Sequence, residues 1–241
     1  MMKFFMLTLN HVTKAFYGSR AVDNFSLKVH DKEIVGLMGP NGAGKTTVLN
    51  LISGAYFLDD GSIYLDGERI DRLRPWEIAR RGIARTFQVT RVFRGLTVLE
   101  NMLVPAMACA SGTSPPQNEL LARALNLLEL VGLTQLRHEP AGNLSGGQQR
   151  LLELVRALMM NQQLLLLDEP SVGLHPTLRA TMHNVIKSTK NSAFLIVSHD
   201  IPFLMRLCGR IVVMSVGSNL AEGTPEEVRK NETVIEAYLG R

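Results

Sequence analysis

With 241 residues, 46% of them hydrophobic, the chain can bury a substantial core as one large domain. Its formal net charge of +4 is mildly basic, and the eight arginines between Arg69 and Arg94 suit solvated helix faces as well as nucleic acid, lipid head groups or an acidic partner; charge alone selects none of these. Two cysteines, Cys109 and Cys208, argue against a disulfide framework and for a reduced compartment, and the longest apolar run, near Met102 to Ala110, is too short to span a bilayer and contains Pro105.

The apolar N-terminus lacks a signal cleavage pattern and runs straight into an alternating segment, so no leader is expected. Alternation predicts strands over residues 7–12 and 21–29, a buried strand over 34–38, and another over 62–65 between the turn pairs Asp60-Gly61 and Asp66-Gly67. A helix is expected over 45–52, and Pro75 opens a short one ending at Arg81. Thr97-Val-Leu-Glu100 has the form of a capping box, and the pattern stays helical to Ala141. Within it Leu120, Leu121, Ala124, Leu125, Leu128 and Val131 share one face, with Gly132 as the stop and residues 110–116 as a surface loop. Buried strands follow at 164–167, 194–197 and 211–214, with a helix from Thr177 between the first two. Thr224-Pro-Glu-Glu227 caps a further helix, and residues 234–239 pack as a short terminal one. There is no internal repeat. The expected architecture is a parallel α/β core with an antiparallel β layer and an inserted helical lobe.

Three stretches carry chemistry. "GPNGAGKT" (Gly39, Pro40, Asn41, Gly42, Ala43, Gly44, Lys45, Thr46) fits the phosphate-loop pattern between a buried strand and a helix. Its glycines let backbone N–H groups curl around phosphate oxygens, Lys45 places a charge on the β and γ phosphates, and Thr46 can ligate Mg²⁺. "LLLLDEP" is a buried strand ending in two carboxylates: Asp168 beside the phosphate loop in the Mg²⁺ shell, and Glu169 orienting and partly deprotonating the attacking water. "VSHD" ends another buried strand, so His199 reaches the same sheet edge, where an imidazole can hydrogen-bond the γ-phosphate and the water. A second anion cradle then stands out: Ser145, Gly146, Gly147 and Gln148 in "NLSGGQQR" open a helix whose first N–H groups are free to meet a phosphate.

In their order, "GPNGAGKT", "LSGGQQR", "LLLLDEP" and "SHD" resemble the motifs of ABC-type ATPases over essentially the whole chain. LSGGQ ahead of an acidic strand is the specific part, since a phosphate loop alone admits many NTPases. The resemblance implies a phosphate-loop NTPase of ABC type in one domain, with residues 1–96 and 161–241 as core and β subdomain and 97–160 as helical lobe. It implies ATP and Mg²⁺ as ligands, Val22 and Thr47 at the nucleotide, and Gln88 touching the metal and water while linking core to lobe. Phe16 matches the adenine-stacking aromatic, with Tyr17 as a rival and core packing as a third reading. It further implies that two subunits pair head to tail, each signature (Ser145, Gly146, Gly147, Gln148) closing over the partner's γ-phosphate. The two cradles would then serve different nucleotides.

More narrowly, "RRGIARTFQVTRVFRGLTVLENMLVP", "EPAGNLSGGQQRLLELVRAL" and "AEGTPEEVRKNETVIEAYLG" are similar to ATP-binding subunits of branched-chain amino-acid importers and their relatives. That resemblance implies a peripheral subunit on the cytoplasmic face of the inner membrane, held by permease subunits and served by a substrate-binding protein. The permease's coupling helix would sit in a groove between Arg74 and Arg94. The rivals are the ATPase of a lipid or lipopolysaccharide exporter, and a soluble ABC ATPase acting on ribosomes or DNA. The latter usually has paired domains or coiled-coil insertions, which this chain lacks, so nucleic acid is not expected. One departure stands in "SVGLHP", where His175 occupies a position at which many ABC ATPases carry aspartate.

Overall fold

A computed structural model describes residues 5–108, 116–160 and 162–239. Cys109 and all but the last residue of the loop expected at 110–116 lie outside the described residues.

Alternation first produces a long hairpin, β1 (Phe5–Phe16) and β2 (Ser19–His30), whose two-residue turn, Tyr17-Gly18, has φ of 50° and 83°. Two positive φ values give the turn whose twist matches that of the flanking strands. The same device at Asp66-Gly67 joins β4 (Asp60–Leu65) to β5 (Glu68–Arg69), completing an antiparallel sheet in the order β2-β1-β4-β5.

The second sheet places β3 (Ile34–Met38) at its centre, between β9 (Arg210–Ser215) and β8 (Ala193–Val197), followed by β7 (Leu164–Asp168) and β6 (Ile83–Arg85), all parallel. Strand β10 (Ser218–Gly223) runs antiparallel on the β9 edge. Both faces are covered, so the strands read as apolar runs, and the period of two sorts their side chains. Leu164, Leu166, Leu195, Val197, Val35 and Leu37 join a core with α1 (Lys45–Ile52) and the antiparallel sheet. Leu165, Leu167, Phe194, Ile196, Ile211 and Val213 face the other helices.

Those helices are α3 (Val98–Ala108), α4 (Gln117–Leu130), α5 (Gly146–Ala157), α6 (Pro176–Ser188), α7 (Ile201–Leu207), α8 (Pro225–Lys230) and α9 (Glu232–Leu239); α2 (Pro75–Arg80) lies beside β6. The capping boxes expected at Thr97 and Thr224 form, each threonine hydroxyl accepting the backbone N–H of a glutamate that reaches back. Helix α4 stops at Gly132 as expected, where φ is 69°. Between there and Ala141 the helical pattern gives only single 3₁₀ turns, Thr134–Leu136 and Ala141–Asn143, and Pro140 between them has no N–H to donate. Leu121 departs from its expected face: it is exposed, while Ala124, Leu128 and Val131 are buried and Leu120 packs on the same core. Strands β5, β6 and β10 and helix α7 were not expected from the pattern.

Candidate functional site

The carboxyl ends of β3, β7 and β8 meet at one edge of the parallel sheet, the usual place for a ligand in such folds. After β3 the chain turns through residues 39–44 into α1. A Cβ at Gly39 would lie 2.1 Å from the Met214 carbonyl oxygen, and one at Gly44, where φ is 100°, 2.2 Å from that of Ala21. Only glycine fits either place. Asn41, Gly42 and Thr46 are exposed, Pro40 and Thr47 half-buried, and Ala43 buried. Lys45 is buried and its Nζ donates to the Gly39 and Pro40 carbonyls at 2.7 and 2.9 Å. Burial pushes the Lys45 ammonium below the usual lysine range, and the Glu169 and Asp168 carboxylates oppose that shift.

Asp168 ends β7, with Thr46 Oγ1 3.4 Å from its Oδ1 and Arg85 Nη2 3.4 Å from its Oδ2. Burial raises its carboxyl above the aspartate range, partly offset by Arg85. A hydroxyl and a carboxylate oxygen at this spacing are hard donors of the kind Mg²⁺ takes, leaving its other positions for water and phosphate. Arg85 was not anticipated. Its other nitrogen donates to Asn50 Oδ1 at 2.7 Å and Ser53 Oγ at 2.9 Å, which holds α1 to the end of β6.

Glu169 follows with φ of 50°, a sparsely populated conformation for a side-chain-bearing residue. Its N–H donates to the Val197 carbonyl at 2.8 Å. Its carboxylate accepts from Ser198 Oγ at 3.1 Å and from the His199 N–H at 3.1 Å, and His199 Nδ1 lies 2.9 Å from Oε1. The imidazole is 59% exposed, so one nitrogen contacts the carboxylate while the ring reaches outward. Such a carboxylate is held in one orientation and can accept a proton from a water placed before it.

Other expected residues are placed less directly. Gln88 is exposed, and its side chain makes no hydrogen bond to Thr46, Asp168 or Glu169 among the described residues; its carbonyl instead accepts from Arg150 Nη2 at 2.6 Å. Phe16 is half-buried, edge-on to Tyr56 at 5.1 Å between ring centroids, whereas Tyr17 is wholly exposed at its turn and Val22 is fully buried. Tyr56, forty residues away in sequence from Phe16, carried no signal of this pairing. Ser145 caps α5: its Oγ accepts from Gln148 N at 3.3 Å, and Gln148 Oε1 accepts from Ser145 N at 3.0 Å. None of these hydrogen bonds runs to residues 39–47. Ser145 and Gly146 are exposed, while Gly147 and Gln148 are half-buried. His175 caps α6, its Nδ1 3.5 Å from the Thr177 N–H, the service an aspartate gives at such a position.

A sequence profile of the ABC transporter family matches residues 22–172. The chain belongs to that family. As an ABC-type ATPase it binds and hydrolyses ATP, and its α/β architecture is that of an ABC cassette. A second profile, described as branched-chain amino acid ATP-binding cassette transporter, matches residues 218–241. The chain is 39% identical to the high-affinity branched-chain amino acid transport ATP-binding proteins BraF of Pseudomonas aeruginosa and LivG of Escherichia coli, with 98% of each chain covered. It is 35% identical to the lipopolysaccharide export ATP-binding protein LptB of Haemophilus influenzae, over 98% of this chain and 97% of that one. Among solved structures, an ABC transporter cassette in its ADP conformation superposes with a TM-score of 0.88 at 31% identity, covering 99% of this chain and 100% of that one. A dimeric cassette in a post-hydrolysis state with ADP and Pi gives 0.80 at 28%, covering 91% and 99%. Among the described residues no helix is long and apolar enough to cross a membrane.

Proposed function

We propose that this ATPase powers an importer of branched-chain or other hydrophobic amino acids from the cytoplasmic face of the inner membrane, bound to permease subunits that a substrate-binding protein supplies. The observation that carries the cargo reading is the match of residues 218–241, α8 and α9 with the strand before them, to the branched-chain profile, beside 39% identity to BraF and LivG. The exporter reading has the LptB likeness in its favour at a lower identity.

In the proposed cycle the loop from Gly39 to Thr47, with Phe16 at the base and the buried Val22 packing in the core behind it, holds ATP, Lys45 leaving the Gly39 and Pro40 carbonyls for the phosphates. Thr46 and Asp168 would hold Mg²⁺, with Gln88 nearby; the ion would neutralise phosphate charge. Glu169, steadied by Ser198 and His199, takes the proton of the attacking water, while His199 offers a hydrogen bond to the γ-phosphate side. Ser145, Gly146, Gly147 and Gln148 close over the nucleotide of a second subunit, so that binding shuts the pair and hydrolysis loosens it. Residues 97–160 act as the moving lobe. Exposed Trp76, Val89 and Phe93, with Arg91 stacked 4.0 Å above the Phe87 ring, support residues 74–94 as the permease groove.

Reconstitution with the permease and binding protein in proteoliposomes tests the cargo. Hydrolysis should rise several-fold with leucine, isoleucine or valine inside the binding-protein compartment. Stimulation by lipopolysaccharide and not by amino acids would replace importer with exporter.

A further inference from the structure

Three charged side chains, Arg150, Glu153 and Arg156, recur every third residue on α5, so they line one face of the helix. All three engage the backbone of residues 87–93, a segment with no helix or strand of its own to satisfy those groups. Arg150 Nη2 donates to the Gln88 carbonyl at 2.6 Å, Glu153 Oε1 accepts the Arg91 N–H at 3.2 Å, and Arg156 Nη2 donates to the Arg91 carbonyl. The lower end is pinned by Asn101, whose Oδ1 accepts the Phe93 N–H at 2.9 Å and lies 3.4 Å from Arg156 Nη1. The upper end differs: the second arm of Arg150, Nη1, donates to the carbonyl of Glu169.

One guanidinium thus touches a loop of the proposed permease groove and the backbone of the proposed catalytic carboxylate, from the helix whose first turn is the signature. Its planar fork can hold two carbonyls at once, which a lysine ammonium cannot do with fixed geometry. We propose that Arg150 is a positioning residue that ties loop 87–93 and the signature helix to the Glu169 backbone at the core, with Glu153 and Arg156 keeping helix and loop in register. The inference rests on the reading of Lys45, Glu169 and Ser145 given above. Because it grips backbone, the ladder moves with the loop whatever side chains face the permease. A shift of the loop therefore reaches Ser145 and Glu169 together.

The test is Arg150→Lys in the full chain. Mg-ATP affinity of the isolated subunit should stay within about twofold, because none of these ladder hydrogen bonds runs to residues 39–47, while kcat should fall roughly tenfold or more from misplacement of Glu169 and the signature. The ATP-bound dimer, trapped in a Glu169→Gln background, should weaken by a similar factor, with the thermal midpoint little changed. Wild-type kcat and dimerisation, or losses matched by a drop in the folded fraction alone, would reduce the ladder to a structural fastening and overturn the proposal. If Arg150→Lys does not fold, Arg156→Gln carries the same test through the lower rung, with a smaller expected loss of about threefold in kcat. Lys45→Ala separates the two layers: retained ATP binding there would sink the underlying site reading, whereas lost binding beside a normal Arg150→Lys would sink only the ladder.

Discussion

Both candidate phosphate cradles are glycine-bearing helix starts, but their glycines answer to different neighbours. At Gly39 and Gly44 an added Cβ would press on the chain's own carbonyls at 2.1 and 2.2 Å, so the fold itself requires glycine. At Gly147 the obstacle is also internal, the Leu178 Cδ1 at 2.5 Å. At Gly146 an added Cβ meets nothing within 4 Å, the backbone is ordinary helix, and the residue is exposed. Nothing among the described residues asks for a glycine there. The phosphate loop closes on its own chain, with Lys45 buried against it, whereas the signature turn is capped and exposed, as the proposed role on a second subunit requires.

Substitutions that provoke the two cradles separately would sharpen that contrast, beginning with Gly44→Ala. The strained φ and the clash with Ala21 should cost about 1–3 kcal/mol or more of stability and abolish ATP binding, seen by thermal melting and nucleotide titration. Gly146→Ala should leave melting within about 0.5 kcal/mol of wild type and monomer ATP affinity intact, and weaken only ATP-driven dimerisation. Equal damage from both substitutions would erase the distinction. Next in size is Glu169→Gln, which keeps the Ser198 and His199 contacts available to an amide but removes the proposed base. Turnover should drop by about 10²-fold or more with ATP still bound, and near-normal hydrolysis would move the role to His199 or the Gln88 loop.

Smaller effects test the metal side of the finished cradle. Burial raises the Asp168 carboxyl, so acidification protonates it sooner than a free aspartate, and the proton would compete with the Mg²⁺ proposed to sit there. For folding alone the sign is opposite: burying the ionised form is the unfavourable state, so this group's contribution is fullest below the unfolded aspartate range and is lost as pH rises through the folded value. Arg85→Gln removes the main opposing charge and should shift the acid limb of Mg-ATP turnover to higher pH. An unmoved limb would show that Arg85 matters only for holding Asn50 and Ser53. Smallest is His175→Ala, which loses the α6 cap at a cost of about 0.5–1 kcal/mol in thermal melting, while His175→Asp restores it.

Much of the finished cradle was legible because its chemistry is local: a strand, a glycine loop, Lys45 and Thr46 follow one another, and Asp168 and His199 each end an apolar run. What escaped the sequence depends on distant partners. Strand β6 has three residues and β10 is half polar, so neither has a period long enough to read; they exist because β7 and β9 supply hydrogen-bond edges. Helix α7 has seven residues behind the Asp200 cap, too short for periodicity. Arg85, Tyr56 and Arg150 take their roles from Asp168, Phe16 and the carbonyls of Gln88 and Glu169, which only folding brings near. Leu121 fitted the helical wheel yet stayed exposed, since a wheel gives direction without saying how wide a stripe the neighbours cover.

The open signature turn is tested most directly by Ser145→Arg in the Glu169→Gln background, measuring mass by light scattering with Mg-ATP beside a nucleotide titration at dilutions where the subunit is monomeric. Among the described residues Ser145 bonds within its own helix turn, so the account predicts unchanged ATP affinity in the monomer and no ATP-driven dimer, because the arginine fills the space in front of the exposed turn. Loss of ATP binding by a folded monomer would contradict it, placing the signature on the nucleotide of its own subunit.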